Sequence, residues 1–117
     1  MALSFRTKYT ENKYQKFLND NTKNKECIFC RKDLLIREFD NWILLQNRYP
    51  YDWFFKIHHM LAPKRHVAKK KELTAKERKE YDKIIEELGG WYDCFWYNFR
   101  HRQTISNHLH YHLLVWR

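Results

Sequence analysis

Three histidines alternate with apolar residues near the C-terminus: His108, His110 and His112 stand in the sequence HLHYHLL. An alternation of period two predicts a β-strand, because successive side chains of a strand point to opposite faces of the sheet. The three imidazoles of this histidine row would then share one face, about 6.7 Å apart along a strand that rises roughly 3.3 Å per residue. An imidazole near neutral pH can act as a nucleophile, a proton donor or a metal ligand.

The histidine row has four possible explanations. A histidine-rich tail of chance composition fits poorly with the strict apolar alternation. A single metal on all three is difficult to build, because His108 and His112 would be about 13 Å apart at the backbone while zinc bonds are about 2 Å long, although a pair at i and i+2 is feasible. A purely structural row would need many hydrogen-bond partners. In a phosphate site, a neutral His110 could attack phosphorus and form a nucleotidyl-imidazole, which water or another acceptor then displaces.

The CxxC turn, Cys27-x-x-Cys30, is a second pattern with metal-binding potential. A tetrahedral zinc site needs four nitrogen or sulfur ligands, so two more would come from His58, His59, His66 or the histidine row. Without a metal, the same turn would pack its cysteines as small apolar residues. The chain has three cysteines, and an odd number argues against a disulfide framework.

The elements that must position these residues can be predicted from periodicity and capping. Thr74 and Glu77 form a capping box before an apolar stripe, which predicts the main helix over residues 72–88. Asp40-Asn41 is a two-residue turn between two aliphatic runs, which predicts a β-hairpin. The other predicted elements are a short helix at 10–19 and strands at 34–39, 42–46, 56–62, 94–99 and 108–115. Together they predict an α+β domain, an antiparallel sheet with one main helix and a short N-terminal helix.

Length and composition limit the class of protein. The 117 residues are enough for one domain, which we divide into an N-terminal helix and loop (1–24) and a main part (25–117). No apolar run approaches the roughly 18 residues of a membrane span, and the N-terminus lacks the apolar core of a secretory signal. We therefore expect a cytoplasmic protein without a membrane partner. The net charge of +9 favours polyanions, and it does not separate nucleotide phosphates from nucleic acid.

These motifs together resemble the histidine triad (HIT) family. The histidine row is similar to the family signature, in which the intervening residues are apolar. Residues 62–67 (APKRHV) resemble the family's PKRH segment, and residues 47–50 (NRYP) are similar to the loop of its Fhit-like branch. The CxxC turn resembles the N-terminal zinc cysteines of many bacterial members. The motifs follow the family's order, and the resemblance covers residues 25–117.

The resemblance implies a role for each histidine of the catalytic site. His110 would be the nucleophile, His112 would bind the attacked phosphate and assist proton transfer, and His58 would support the pair. His59 would face away from them. The implied nucleotide-binding residues are Asn47 at the ribose and, at the phosphate or leaving group, Asn98 and one of Thr104 or Ser106.

The resemblance also completes the metal site and implies a partner. It points to His66 and His108 as the ligands that join Cys27 and Cys30 in a closed, structural zinc site. It implies a homodimer through the main helix and the strand after it. The implied activity is a nucleotide hydrolase or transferase that cleaves a phosphoanhydride or phosphoramidate bond at the α-phosphate of a purine nucleotide, through a nucleotidyl-histidine intermediate. The alternative is a zinc-stabilised protein that binds nucleotides or, less favoured, nucleic acid, without turnover.

The chain departs from the family pattern around these motifs. The hydroxyl residue that the family carries three positions before its first histidine is Ile105 here. The loop before the histidine row carries His101 and Arg102 instead of glycines, and Ile57 stands where a glycine precedes the supporting histidine. The linker 47–58 is also longer than usual. These differences concern the leaving-group side of the expected site more than the fold.

Overall fold

A five-stranded antiparallel sheet and two helices make up the part of the chain that the computed structural model describes, residues 5–20, 27–99 and 107–117. The helices are α1 (Lys8–Asn19) and α2 (Ala75–Leu88), with a short 3-10 turn (Lys70–Glu72) before α2. The strands are β1 (Leu35–Glu38), β2 (Trp42–Gln46), β3 (Phe55–Pro63), β4 (Cys94–Trp96) and β5 (Tyr111–Trp116). Their order in the sheet is β1-β2-β3-β5-β4. The predicted α+β class is therefore confirmed.

The two faces of the sheet bury different sets of side chains. On one face, Trp42 and Leu61 pack with Ile84 and Leu88 of α2, and the Trp42 indole donates a hydrogen bond to the Glu77 carbonyl at 2.9 Å. The opposite face holds a second apolar cluster, which we call the lower cluster: Phe29, Ile43, Leu45, Met60 and Ala62. Because strands alternate their side chains, β2 and β3 contribute to both clusters. The CxxC turn covers the lower cluster through Phe29.

Helix α2 begins three residues later than the sequence predicted. Thr74 is extended and its hydroxyl accepts the amide of Glu77, while the Glu77 carboxylate accepts the amide of Thr74. This capping box was predicted and is present, and it places the first helical residue at Ala75 instead of Glu72. The residues before the cap form the separate 3-10 turn, because the extended backbone at Leu73 and Thr74 separates this turn from α2.

The last strand is shorter than the sequence predicted, because β5 begins at Tyr111 and not at His108. Tyr111 pairs with Leu61 of β3, so continuing the ladder would set Leu109 opposite Pro63, which has no amide hydrogen. The amide of Leu109 donates instead to the carbonyl of Val67 at 2.6 Å. Strand β4 is also shorter than predicted and ends at Trp96, opposite His112. The prediction of a single extended strand through all three histidines is therefore wrong.

Helix α1 is attached to the linker 47–58. The Asp52 carboxylate accepts hydrogen bonds from the amide and hydroxyl of Thr7 and from the hydroxyl of Thr10, at 2.8, 3.2 and 2.5 Å. Thr7 is also the N-cap residue of α1. Burial alone would raise the pKa of Asp52, but these hydrogen bonds outweigh it and lower the pKa below its usual value.

In the described residues, no helix is long and apolar enough to cross a membrane.

The Glu77 carboxylate makes stability depend on pH. Hydrogen bonds from Arg65 and, second, from the Thr74 amide outweigh burial and lower the pKa of Glu77 to about 2 from an ordinary 4.5. A depressed carboxyl pKa stabilises the fold above pH 4.5, and this contribution is lost as the pH falls toward 2. Between pH 5 and pH 2.5, we expect the free energy of unfolding of Glu77→Gln to fall by about 2 kcal/mol less than that of the wild type. This figure is smaller than the full pKa shift implies, because Arg65 is half exposed and its charge is screened.

Urea unfolding at both pH values measures this difference, and other titrating groups are common to both proteins. Glu86→Gln, at an exposed position of α2, is the matched control and should follow the wild-type curve. Parallel pH profiles for wild type and Glu77→Gln would contradict the assignment.

Candidate functional site

Four side chains that the sequence analysis assigned to a metal site lie together at the end of the sheet. The ligand atoms of Cys27, Cys30, His66 and His108 all lie within 4.8 Å of one another. Cys30 Sγ is 3.2 Å from His66 Nδ1, and Cys27 Sγ is 3.4 Å from His108 Nδ1. The two Nδ1 atoms are 3.1 Å apart. The structure therefore brings together all four predicted ligands in a cluster that could bind a metal.

The cluster has the dimensions of a tetrahedral site. Metal–ligand bonds of about 2.0–2.3 Å require ligand–ligand edges of roughly 3.3–3.8 Å, close to the separations of the Cys and His donors. The far side of His108 is also arranged for ligation, because its Nε2 lies 2.7 Å from the Pro63 carbonyl. Donation of Nε2–H to a carbonyl leaves the Nδ1 lone pair for the metal. Burial, and then the neighbouring Cys27 thiol, raises the pKa of Cys30.

His110 lies next to this cluster and has its tautomer fixed by the backbone. Its Nδ1 is 2.9 Å from the carbonyl of His108, and a carbonyl can only accept. Nδ1 therefore carries the hydrogen, and Nε2 is left with the lone pair. The ring stacks on Phe29 of the lower cluster, with centroids 5.0 Å apart and planes 28° apart. Burial lowers the pKa of His110, so the ring is neutral and its Nε2 is a potential nucleophile.

His58 and His112 form a buried pair whose hydrogens are also determined by the backbone. The amide of Tyr51 donates to His58 Nδ1 at 3.0 Å, so the hydrogen of a neutral His58 is on Nε2. That Nε2 lies 2.7 Å from His112 Nδ1, which must accept. The hydrogen of His112 is therefore on its Nε2. Burial lowers the pKa of His58 to about 2 and that of His112 to about 3, with smaller electrostatic effects from neighbouring histidines and Arg6.

His110 and His112 line a cavity of about 410 Å³, within the range typical of small-molecule sites. Its walls come from α1, from the linker 47–58 and from the segment just after Cys27. Asn47 and Asn98, two of the predicted nucleotide-binding residues, also line it. The other two, Thr104 and Ser106, lie outside the described residues. His59 is on the opposite face, where its Nδ1 is 2.6 Å from the Tyr92 hydroxyl, as predicted for a residue facing away.

One wall of the cavity was not predicted from the sequence. Tyr14, Phe17 and Leu18 of α1 face the cavity together with Arg6. The N-terminal segment therefore contributes to the same site as the histidines, although the resemblance to the triad family does not reach it. The signal that could have revealed this was the long linker 47–58, which had no assigned purpose and which holds α1 through Asp52.

Comparisons with known proteins support the fold. No protein-family model matches the chain, and no curated protein matches it. Among solved structures it is similar to a HIT family hydrolase from Clostridium thermocellum (22% identity, TM-score 0.53, covering 81% of this chain and 93% of that one). It is also similar to a hypothetical histidine triad nucleotide-binding protein from Sulfolobus tokodaii strain7 (21%, TM-score 0.59, 77% and 69%). A third is a histidine triad protein from Clostridium difficile (22%, TM-score 0.53, 82% and 94%). The chain therefore has the histidine triad fold.

Removal of the Asp52 carboxylate should detach α1 from the cavity. Asp52→Ala deletes three hydrogen bonds to one group, and each typically contributes about 1 kcal/mol. We expect the amides of residues 8–19 to exchange at least tenfold faster, with the amides of β2 and β3 unchanged, as measured by hydrogen–deuterium exchange. Asp82→Ala, at an exposed position of α2, is the control. Unchanged exchange in α1 would show that Asp52 does not hold the helix.

Proposed function

We propose that the protein is a nucleotide hydrolase or transferase that cleaves a phosphoanhydride or phosphoramidate bond at the α-phosphate of a purine nucleotide, through a nucleotidyl-His110 intermediate. One observation supports this above all. The hydrogen bond from His110 Nδ1 to the His108 carbonyl leaves the Nε2 lone pair of a neutral, buried imidazole at the wall of a nucleotide-sized cavity. The similarity to histidine triad proteins described as hydrolases and nucleotide-binding proteins is consistent with it.

In the first step, the Nε2 lone pair of His110 attacks the α-phosphorus. The N–P bond forms, the bond from phosphorus to the leaving group breaks, and the leaving group departs with the electron pair. The positive charge that develops on the His110 ring stays next to the His108 carbonyl, which still accepts Nδ1–H. That carbonyl therefore both selects the tautomer and stabilises the charged ring.

His112 is the proposed phosphate contact in this step, and His58 positions it. His112 Nε2–H can donate to a phosphate oxygen or to the leaving atom, since its Nδ1 is occupied by His58. His58 is fixed in turn by the Tyr51 amide and by packing against the Tyr51 ring, with centroids 4.3 Å apart. A donor whose direction is fixed before substrate binds needs no reorganisation during the reaction.

In the second step, water displaces His110 from phosphorus. The N–P bond breaks, His110 returns to its neutral form, one proton of the water passes to solvent, and a nucleoside monophosphate is released. Another nucleophile in place of water would make the enzyme a transferase. The apolar side of the cavity, which includes Ile28 and Met60, suits a purine base, and Asn47 is the proposed ribose contact.

A structural zinc ion is the second part of the proposal. Cys27, Cys30, His66 and His108 would hold it, and as a closed four-ligand site it would stabilise the fold without activating water. The donor set fits zinc, since two thiolates and two imidazoles are typical of structural zinc sites. We also propose a cytoplasmic homodimer through α2 and β4. Nearby aromatic side chains such as Trp91 and Phe95 are exposed, which suits an interface.

The alternative function is a zinc-stabilised protein that binds a nucleotide or nucleic acid without turnover. The same cavity and net charge of +9 would serve it. The two proposals differ in the role of His110, because binding without turnover does not require an imidazole with a free Nε2 lone pair beside the phosphate. Turnover is therefore the critical observation.

Replacement of His110 should abolish turnover and leave binding largely intact. We expect His110→Asn to lower kcat by at least a thousandfold on adenosine 5′-phosphoramidate and diadenosine triphosphate, with a change in AMP affinity below fivefold. Steady-state kinetics and calorimetry measure the two quantities. His59→Asn, which alters a histidine on the other face of the sheet, is the control for kcat. Turnover that survives in His110→Asn would remove the mechanism.

Zinc binding should depend on the cysteines of the CxxC turn. We expect about one zinc per chain in the wild type and a loss of most of it in Cys27→Ser, together with a lower thermal midpoint. Cys94→Ser is the matched control, because Cys94 lies in β4 and outside the cluster. Metal analysis by mass spectrometry gives the result, and stoichiometric zinc in Cys27→Ser would contradict the site.

A further inference from the structure

The two ends of the cavity differ in chemical character. At one end, Ile28 packs on the lower cluster and His110 stacks on Phe29 of that cluster. Met60 of the same cluster lies farther along, since it pairs with His112 across the strands. At the other end, the Tyr51 ring stacks on His112 with centroids 5.5 Å apart, and the Asn98 amide reaches the Tyr51 hydroxyl at 3.5 Å. The cavity therefore runs from an apolar end, past His110 and then His112, to a polar end.

Arg6 lies at the polar end. Its guanidinium carbon is 4.2 Å from the centroid of the Tyr14 ring and 4.9 Å from that of the Tyr51 ring. Its Nε donates to the Tyr49 carbonyl at 2.6 Å. Because Tyr51 also stacks on His112, the cation is placed on the His112 side of the cavity and contributes, after burial and His110, to lowering the pKa of His112. Two rings and a carbonyl thus hold Arg6 in a defined position.

The described lining of the cavity has more positive than negative charge. Arg6, Arg31 and Arg48 contribute three guanidinium groups, and Asp33 is the one carboxylate among these lining residues. Asp33 is already paired with Arg31 at 2.6 Å. Glu11 forms an ion pair with Arg6 at 4.0 Å and does not itself line the cavity. A positive surplus in a partly enclosed site favours an anionic ligand.

The arrangement of the histidines adds a chemical reason. An amine leaving group must receive a proton before it departs, whereas a phosphate departs as a stable anion. His112, buried and close to the Arg6 cation, gives up a proton only from its neutral form and is a poor acid. Arg6 is suited to the anion, since a guanidinium pairs with phosphate oxygens through two parallel hydrogen bonds.

We propose that Arg6 binds a second phosphate on the leaving side of the attacked phosphorus, and that it thereby selects nucleoside di- and polyphosphates over nucleotides with an amine leaving group. This inference rests on the proposed function and specifies its substrate class. The base lies at the apolar end, the attacked phosphate lies at His110, and the leaving phosphate lies between His112 and Arg6. Helix α1, held by Asp52, is what brings Arg6 to this position.

The test compares kcat/KM on diadenosine triphosphate and on adenosine 5′-phosphoramidate. We expect Arg6→Gln to lose at least tenfold on the triphosphate and less than threefold on the phosphoramidate, whereas Arg6→Lys, which keeps the charge, loses less. Lys8→Gln removes one charge from an exposed position of α1 outside the cavity and should change neither value. Phe17→Ala, which loosens the apolar wall, should lower both values equally. An equal loss on both substrates in Arg6→Gln, or no loss, overturns the inference.

A binding measurement separates failure of this inference from failure of the proposed chemistry. Calorimetry in the His110→Asn background, which should not turn ADP over, should show that the protein binds ADP more tightly than AMP. This preference should fall about tenfold when Arg6→Gln is added and persist when Lys8→Gln is added. If wild type turns over neither substrate but the preference depends on Arg6, the proposed chemistry fails and the Arg6 site stands. A preference that is absent, or that Arg6→Gln leaves unchanged, overturns the Arg6 site.

Discussion

The position of His108 is the constraint on which the rest of the site depends. Its Nδ1 belongs to the Cys–His cluster that could bind a metal, its Nε2 bonds the Pro63 carbonyl, and its own carbonyl accepts from His110. Residue 108 is therefore fixed by three contacts in different directions. Because a neutral imidazole has one hydrogen, the last of these contacts decides which nitrogen of His110 is free for chemistry. His108 links the cluster to His110 of the cavity wall, so a structural ion would also position the proposed nucleophile.

The end of β3 is what allows His108 to take this position. Proline at residue 63 stops the ladder, and the chain over residues 108–110 leaves the sheet to meet Val67. Leu109 still packs in the core beneath α2, and His110 and His112 still face the cavity. The histidines therefore share a side of the molecule without sharing a regular strand, and His108 is free to turn toward the cysteines.

The N-terminal segment and the linker 47–58 form one structural unit around the cavity. Asp52 holds the start of α1, the Tyr49 carbonyl holds Arg6, and Tyr51 contacts both Arg6 and the buried histidine pair. Aromatic rings hold neighbouring residues in fixed positions, because they are rigid and bury a large area. The linker is thus used to attach α1. Arg6, which lies just before this helix, joins Arg31 and Arg48 as cations that line the cavity beside the neutral imidazoles.

Local chemistry was enough to predict much of this protein from its sequence. Periodicity and capping predicted the hairpin, the box at Thr74 and Glu77, and the α+β class, because these signals depend on neighbours within a few residues. The spacing of the histidines and cysteines, together with the family resemblance, predicted four metal ligands, and their side chains do lie together. The roles assigned to the histidines remain predictions. Tertiary structure alone decided the tautomers, since they depend on the carbonyl of His108 and the amide of Tyr51. The position of Arg6 in the cavity also depends on the tertiary structure alone. Thr7 and Asp52 are 45 residues apart, so no local sequence pattern predicts their contact.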